Sequence, residues 1–262
     1  MLSKSALVAL ATATTVAAHA HMSGLVADGK YFEGYTPNFQ YMNPVPKVPA
    51  WSAGGYGQGG IAADNFTKEN IICHDQSKPG QAYADVAAGS EVKFEWTPWP
   101  EGHKGPVLTY IAPCDGDCIT VDKMSLKFVK IAEKGLVKGG EPAAQQWATD
   151  ELVANNNTDT VTIPENLKAG NYVIRNEIIA LHQAGTAGGA QPYPQCANLK
   201  VTGSGSAFPS NGISATEFYK PESNGIVYNI AARQMEYPIP GPPMWDQAGA
   251  QPAKKLVKRF EA

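Results

Sequence analysis

Short segments in which apolar and polar residues alternate recur along the chain, and they constrain the fold more than any other feature. In 90–96, Val92, Phe94 and Trp96 alternate with charged residues, which predicts a strand with one buried face. Similar patterns predict further strands at 124–128, 160–163, 172–179 and 199–201. Only 143–155 is typical of a helix. Short strands with frequent turns, together with 26 Gly and 20 Pro in 262 residues, predict an antiparallel β-sandwich.

The first residues have the pattern of a secretory signal. Lys4 precedes an apolar stretch, and small residues at Val16 and Ala18 favour cleavage after Ala18. This cut would make His19 the new N-terminus, but cleavage after Ala20 would expose His21 instead, and signal rules do not choose between them. An N-terminal histidine offers a ring nitrogen and an α-amine, which together can chelate a metal.

Charge and hydropathy limit the partners of the mature chain. The net charge is −3, and a short basic tail is the only basic segment, so nucleic acid is not expected as a partner. After the leader, no apolar run approaches the roughly 18 residues that span a bilayer, so we expect a secreted, extracellular protein without a membrane anchor. We predict a signal peptide at 1–18, one domain at 19–245 and a flexible tail at 246–262.

The four cysteines indicate two disulfides, for which three connectivities are possible. Cys114 and Cys118 flank a turn-forming Asp-Gly-Asp and could close a small ring, which would leave Cys73 and Cys196 to join distant segments. Zinc binding is the competing interpretation, but a secretory route disfavours it. The sequons at Asn65 and Asn156 predict glycosylation.

Candidate metal donors lie near strand ends. His103 lies in a loop rich in Pro and Gly directly after the strand at 90–96, His182 follows an apolar strand, and Tyr193 comes shortly before Cys196. Two histidines with an N-terminal amine give three nitrogen donors, a set that suits copper, although zinc accepts the same donors in a tetrahedral arrangement. Their spacing does not choose between the two metals.

Hydrolytic chemistry has weaker support. A glycosidase needs two carboxylates across the scissile bond, and Glu101 and Glu177 show no evident pairing. A nucleophilic serine has no G-x-S-x-G motif to carry it.

Ordered motifs along the mature chain resemble the fungal lytic polysaccharide monooxygenases of auxiliary activity family 9. These motifs are the pair Asp28-Gly29, IICH at 71–74, WTPWPEGHKGPV at 96–107, YIAPCDGDC at 110–118, VDK at 121–123, GNYVIRNEIIALH at 170–182, QPYPQC at 191–196 and IPGPP at 239–243. The distance from the Asp-Gly pair to the first histidine of the family favours His19 as the N-terminus.

The resemblance implies an immunoglobulin-like antiparallel β-sandwich whose long loops form a flat substrate face. It implies one copper ion held by the amine and ring of His19 and by the ring of His103, with Tyr193 axial. His182 and Gln191 would form hydrogen bonds to the oxidant. The implied disulfides are Cys73–Cys196 and Cys114–Cys118, and the implied sugar-stacking tyrosines are Tyr41 and Tyr237.

The implied activity is the oxidative cleavage of β-1,4-glucan, above all cellulose, at C1 and/or C4. It requires O2 or H2O2 and an external reductant, either a small molecule or a secreted redox enzyme such as cellobiose dehydrogenase. We expect a monomer. The alternative is a non-catalytic cellulose- or copper-binding protein of the same fold.

Overall fold

The computed structural model describes residues 20–54 and 59–249, most of which lie in or between two β-sheets. Within these residues the strands are β1 (Met22–Ala27), β2 (Lys30–Glu33), β3 (Ala84–Ala87), β4 (Glu91–Trp96), β5 (Val107–Pro113), β6 (Val129–Lys134), β7 (Leu136–Lys138), β8 (Gln146–Trp147), β9 (Thr158–Thr162), β10 (Gly170–Ala180) and β11 (Gln191–Thr202). The α-helices are α1 (Asn70–Cys73) and α2 (Ala148–Ala154), and 3-10 turns occupy Pro37–Tyr41, Ala63–Asn65, Cys118–Thr120, Lys123–Ser125, Pro142–Ala144 and Ala215–Glu217.

The two main sheets form a β-sandwich. The first has the order β2-β1-β4-β9 and the second β3-β11-β10-β5-β6, while β7 and β8 form a separate pair. Neighbouring strands are antiparallel except β3, which runs parallel to β11. One apolar core joins Leu25 and Phe94 of the first sheet to Ile111 and Ile174 of the second. The predicted antiparallel sandwich is therefore confirmed, with β3 as a parallel exception.

The second sheet is covered on both faces. Along β10, Ile174 and Ile178 face the inter-sheet core, while Val173 and Ile179 belong to a second apolar cluster on the outer face. Residues of α1 contribute to this outer cluster. Because both faces are covered, β10 is buried at every residue from Tyr172 to Ala180, whereas burial in β4 alternates.

Two local predictions were wrong. Residues 124–128 do not form a strand, because the Asp122 carboxylate accepts the Met124 backbone N–H at 3.0 Å and stabilises a 3-10 turn, and the strand begins at Val129. Residues 143–155 are not one helix. Trp147 pairs with Leu136 in a short strand, its N–H donates to the Asp150 carboxylate at 2.7 Å, and the helix spans only Ala148–Ala154.

Both disulfides implied by the resemblance are present, Cys73–Cys196 and Cys114–Cys118, so these cysteines are not zinc ligands. Of the predicted tail, only 246–249 belongs to the described residues, where Ala248 is buried in the core, and the flexibility of the tail stays a prediction. The predicted signal at 1–18, His19 and the rest of the tail lie outside the described residues. No helix in the described part of the chain is long and apolar enough to cross a membrane.

Candidate metal centre

Three strand ends of the second sheet meet at one end of the sandwich. Ala180 at the end of β10 pairs with Gln191 at the start of β11, and Ile178 pairs with Val107 at the start of β5. The pairing continues past the strands, because the Leu181 N–H donates to the Lys104 carbonyl at 2.8 Å. The residues that follow β10, begin β11 and precede β5 are therefore neighbours in space although they are far apart in sequence.

This convergence places the His103 and His182 rings 3.9 Å apart, centroid to centroid, with a tilt of 35°. Gly105 allows the close approach of their two segments, since a Cβ at this position would lie 1.9 Å from the Ile179 carbonyl oxygen. His182 is half-buried, and burial lowers the pKa of its ring below the ordinary value. Its Nδ1 is buried and has no hydrogen-bond partner among the described residues.

Gln191 and Tyr193 lie on β11 beside this histidine pair. The Tyr193 hydroxyl donates to Gln191 Oε1 at 3.2 Å, and Gln191 Nε2 donates to Gln183 Oε1 at 3.4 Å. Tyr193 is 2% exposed. Burial raises the pKa of its hydroxyl, while a backbone hydrogen bond from Gly60 acts in the opposite direction. The phenol therefore remains protonated at neutral pH and reaches the site as a neutral oxygen.

Trp99 holds the loop of His103 in place, a role that the sequence did not reveal. Its indole N–H donates to the His103 carbonyl at 2.9 Å. Its ring meets Tyr193 edge to face, with centroids 5.0 Å apart. The loop is thus fixed both by a hydrogen bond and by aromatic packing against β11.

The first described residues reach the same end of the sandwich. Three hydrogen bonds join His21 and Thr97. The His21 N–H donates to Thr97 Oγ1 at 3.1 Å, and the His21 carbonyl accepts from the Thr97 N–H at 2.9 Å and from the Thr97 hydroxyl at 3.4 Å. The His21 ring is buried, which lowers its pKa, and its Nδ1 has no hydrogen-bond partner within the described ranges. The N-terminal strand is therefore anchored at the start of the loop that carries His103.

An open depression of about 670 Å³ lies at this end of the sandwich. His103, His182, Gln191 and Tyr193 all belong to its wall, so the structure brings together four of the predicted site residues. Gly59 and Gly60 form another part of the wall, and Gly60 lies directly against β11: a Cβ at this position would be 2.5 Å from Gln191 Cβ. No sequence pattern marks the two glycines, because their role depends on a close contact with a distant strand.

Neither predicted stacking tyrosine lies in the wall of this depression. Tyr41 is 79% exposed, as a sugar-stacking ring requires. Tyr237 is half-buried, its hydroxyl donates to the Gly225 carbonyl at 2.7 Å, and its ring packs edge to face against Trp147 and Tyr228. Tyr237 therefore contributes to the outer aromatic cluster, and its role as a sugar-stacking ring stays a prediction.

The carboxylates do not form a hydrolytic pair. Glu177 is fully buried and bound to both terminal nitrogens of Arg175 at 2.7 Å, and the Tyr219 hydroxyl donates to it as well. Glu101 is exposed. A buried carboxylate with all its hydrogen bonds made to neighbouring side chains is a structural group. The site contains imidazoles and a phenol instead.

The donor types at this site fit a copper ion. The ring of His103 offers an imidazole nitrogen, the phenol oxygen of Tyr193 lies nearby, and such nitrogen and oxygen donors suit tetragonal copper. His182 Nδ1 and His21 Nδ1 are buried without a hydrogen-bond partner among the described residues, but neither histidine is one of the predicted copper ligands. The remaining predicted ligand, His19, lies outside the described residues, and the sequons remain predictions, with Asn156 exposed and Asn65 half-buried.

Comparison with known proteins gives consistent matches. The model of the family described as Auxiliary Activity family 9, formerly GH61, matches residues 19–237. The AA9 family lytic polysaccharide monooxygenase B of Aspergillus fumigatus is 51% identical over 239 residues, 90% of this chain and 95% of that protein. Among solved structures, the extended catalytic domain of LPMO9A from H. jecorina is 43% identical with a TM-score of 0.85, covering 90% of this chain and 94% of that one. A cellulose-active polysaccharide monooxygenase from M. thermophila is 29% identical with a TM-score of 0.74, covering 87% and 99%.

Proposed function

Because the chain belongs to Auxiliary Activity family 9, the lytic polysaccharide monooxygenases, we propose that it oxidatively cleaves β-1,4-glucan chains of cellulose. The cleavage takes place at C1 and/or C4 and uses O2 or H2O2 with an external reductant. The observation that carries this proposal is the cluster of His103, His182, Gln191 and Tyr193 around one depression at the end of the sandwich. The similarity to a protein described as cellulose-active supports the choice of substrate.

Copper would be held by the ring of His103 and by the ring and amine of His19, with the Tyr193 hydroxyl as a further oxygen donor. The family match begins at residue 19, which supports cleavage after Ala18 and hence secretion. When bound, copper supplies one-electron redox chemistry toward O2 or H2O2. The anchoring of His21 to Thr97 supports this assignment, because it brings the N-terminal strand to the loop of His103.

The other polar residues orient the oxidant. The His182 ring lies against the His103 ring, and the Gln191 amide bonds to the Tyr193 hydroxyl, so both can form hydrogen bonds to a small oxygen species inside the depression. Such outer hydrogen bonds tune metal sites and fix their ligands. The buried phenol of Tyr193 holds its proton and therefore adds no charge to the site.

The substrate would be a flat polysaccharide surface. Tyr41 offers an exposed ring that can stack on a sugar, whereas Tyr237 would contribute only the part of its ring that its neighbours leave open. Electrons would come from a small reductant or from a secreted redox enzyme such as cellobiose dehydrogenase, and the enzyme would act as a monomer.

The test is intact-mass and N-terminal analysis of the secreted protein, followed by Cu(II) titration monitored by EPR and assays of oxidised sugars on cellulose. We expect a chain that starts at His19, binds one copper with a tetragonal spectrum and needs a reductant to release oxidised products. His103→Ala should abolish tight copper binding and lower product release at least about 100-fold, since a direct ligand is lost. Glu101→Gln, on the same loop, is the matched control and should change neither.

Three results would contradict the proposal. A chain that begins at His21 and does not bind copper tightly would remove the metal site. Copper binding without oxidised products would favour the non-catalytic binding protein of the same fold. Products with ordinary reducing ends and no need for a reductant would indicate a glycosidase.

A further inference from the structure

His74, which follows α1, has a backbone conformation that an L-residue rarely adopts. Its φ is 84° and its ψ is 170°, a region populated almost only by glycine. Such a conformation costs free energy and persists only where the surrounding contacts hold it in place. The contacts of the His74 side chain are therefore of interest.

The ring of His74 is 4% exposed and forms two hydrogen bonds. The Asp75 backbone N–H donates to Nδ1 at 2.9 Å, so Nδ1 carries the lone pair and Nε2 carries the proton. Nε2 lies 2.7 Å from the Gly59 carbonyl oxygen and donates to it. Burial lowers the pKa of the ring, which keeps it neutral in this tautomer.

Gly59 leads directly to the contact with the metal centre. A Cβ on Gly60 would lie 2.5 Å from Gln191 Cβ and 3.2 Å from Tyr193 Cε2, so this backbone touches both side chains. One residue later, the Ile61 N–H donates to the Pro192 carbonyl at 2.8 Å. The segment 59–61 therefore packs against β11 where Gln191 and Tyr193 project.

The other end of His74 is anchored to the same strand. Cys73, its neighbour, forms the disulfide with Cys196 of β11. The next residue, Asp75, accepts the Gly54 N–H at its carbonyl, with an N···O distance of 2.7 Å. His74 is thus connected to β11 in two ways. One connection runs through Cys73 and its disulfide to Cys196, and the other runs through the imidazole and Gly59 to the contact of Gly60 with Tyr193.

We propose that His74 is a positioning residue, whose Nε2–H bond to Gly59 presses Gly60 against Gln191 and Tyr193 and so sets their place in the copper site. This inference rests on the function proposed above. His74 does not line the depression, so it acts through the backbone of Gly59 and Gly60 alone.

Three variants separate the tether from the backbone strain. His74→Gly relieves the strained φ and removes the tether. His74→Asn places an amide near Nδ1 and cannot reach Gly59, whereas His74→Gln places an amide N–H near Nε2 and can replace the donor. We expect His74→Gly and His74→Asn to behave alike and His74→Gln to behave like the wild type.

The first readout is hydrogen exchange in the metal-free protein, which does not depend on the proposed chemistry. Exchange of the Ile61 amide should be roughly five- to tenfold faster in His74→Gly and His74→Asn, because a buried hydrogen bond that holds this segment is lost. Exchange in β4, on the other sheet, should not change. The second readout is the Cu(II) EPR spectrum, in which the hyperfine splitting should shift in these two variants and not in His74→Gln.

In turnover on cellulose, kcat should fall roughly tenfold in the two untethered variants while KM changes less than about threefold, since the positioning acts on the reacting geometry. Unchanged Ile61 exchange in His74→Gly would overturn the proposal, as would a loss in His74→Gln equal to that in His74→Gly. If copper fails to bind even the wild type, the proposed function fails, and the exchange data still decide whether the tether exists.

Discussion

Two groups of polar side chains, one in the middle of β10 and one just beyond its end, differ in how completely they are hydrogen-bonded within the chain. In the middle of the strand, Arg175 donates to the Ile71 and Ile72 carbonyls and forms two hydrogen bonds to Glu177, which also accepts from Tyr219. We call Arg175, Glu177 and Tyr219 the Arg175 cluster.

Just beyond the end of the strand, the His182 Nδ1 is buried without a partner among the described residues. Nearby, the Gln191 amide makes two long hydrogen bonds, one of 3.4 Å to Gln183 and one of 3.2 Å from the Tyr193 hydroxyl. The side chains of the Arg175 cluster form their hydrogen bonds within the chain and therefore stabilise the fold. His182 keeps an unused hydrogen-bonding atom, as expected of a group that binds a ligand.

The largest effect should come from opening the Arg175 cluster. Arg175→Met leaves the Glu177 carboxylate buried without its cation, so the free energy of unfolding should fall by about 3–5 kcal/mol in urea denaturation. Arg175→Met combined with Glu177→Leu should recover part of this loss, because the uncompensated charge is gone. A loss below about 1 kcal/mol in the single variant would show that the cluster does not stabilise the fold as a closed unit.

Alkaline pH should weaken the core around the same cluster. Burial raises the pKa of Tyr110 and of Tyr219 well above the ordinary value near 10. Above about pH 10 the unfolded chain loses these protons and the folded chain keeps them, so the unfolding free energy falls with rising pH by about 1.4 kcal/mol per pH unit for each tyrosine.

Urea denaturation between about pH 9 and 11, with phenolate absorbance recorded in parallel, measures this slope. Tyr110→Phe should flatten it, because one of the tyrosines with a raised pKa is removed. A slope that is the same in Tyr110→Phe and in the wild type would exclude Tyr110 as its source.

At the candidate metal centre, adding one methyl group should lower the activity and leave the stability unchanged. Gly60→Ala would push Gln191 and Tyr193 aside, since its Cβ would lie 2.5 Å from Gln191 Cβ, and we expect oxidised-product formation to fall roughly 10- to 100-fold. Gly102→Ala is the matched control, because a Cβ there meets nothing within 4 Å. Equal activity of the two variants would show that the wall of the depression tolerates displacement.

The smallest effect should appear at the proposed substrate face. Tyr41→Ala should weaken binding to crystalline cellulose roughly three- to tenfold in a depletion assay, because one exposed ring is lost. Tyr31→Ala removes another exposed tyrosine, 51% exposed on β2, and serves as the control. Equal losses in both variants would remove Tyr41 from the proposed face.

Regular alternation predicted the strands well where one face is buried, as in β4, and the strand predicted at 172–179 corresponds to the doubly covered β10. The prediction failed at 124–128, where the Asp122 carboxylate bonds to the local backbone and overrides the alternation of Met124, Leu126 and Phe128. A short side-chain contact of this kind leaves no trace in the period of the sequence.

The candidate site was predictable only in its residue types and by family resemblance. Spacing alone could not bring His103 to His182, because their proximity depends on the antiparallel pairing of β10 with β5. The roles of Trp99 and Gly60 depend on packing between distant segments, which no local pattern encodes. The half-buried position of Tyr237 likewise depends on its packing against Trp147, which no local pattern encodes.

The long disulfide also fixes an order of assembly during synthesis. Cys114 and Cys118 are four residues apart, whereas Cys196, the partner of Cys73, is synthesised 123 residues later. At usual rates of about 5–20 residues per second, Cys73 spends roughly 6–25 s as a free thiol before Cys196 emerges. This disulfide can link helix α1 to strand β11, which carries Tyr193, only after that interval. The metal centre is therefore among the last parts of the nascent chain to form.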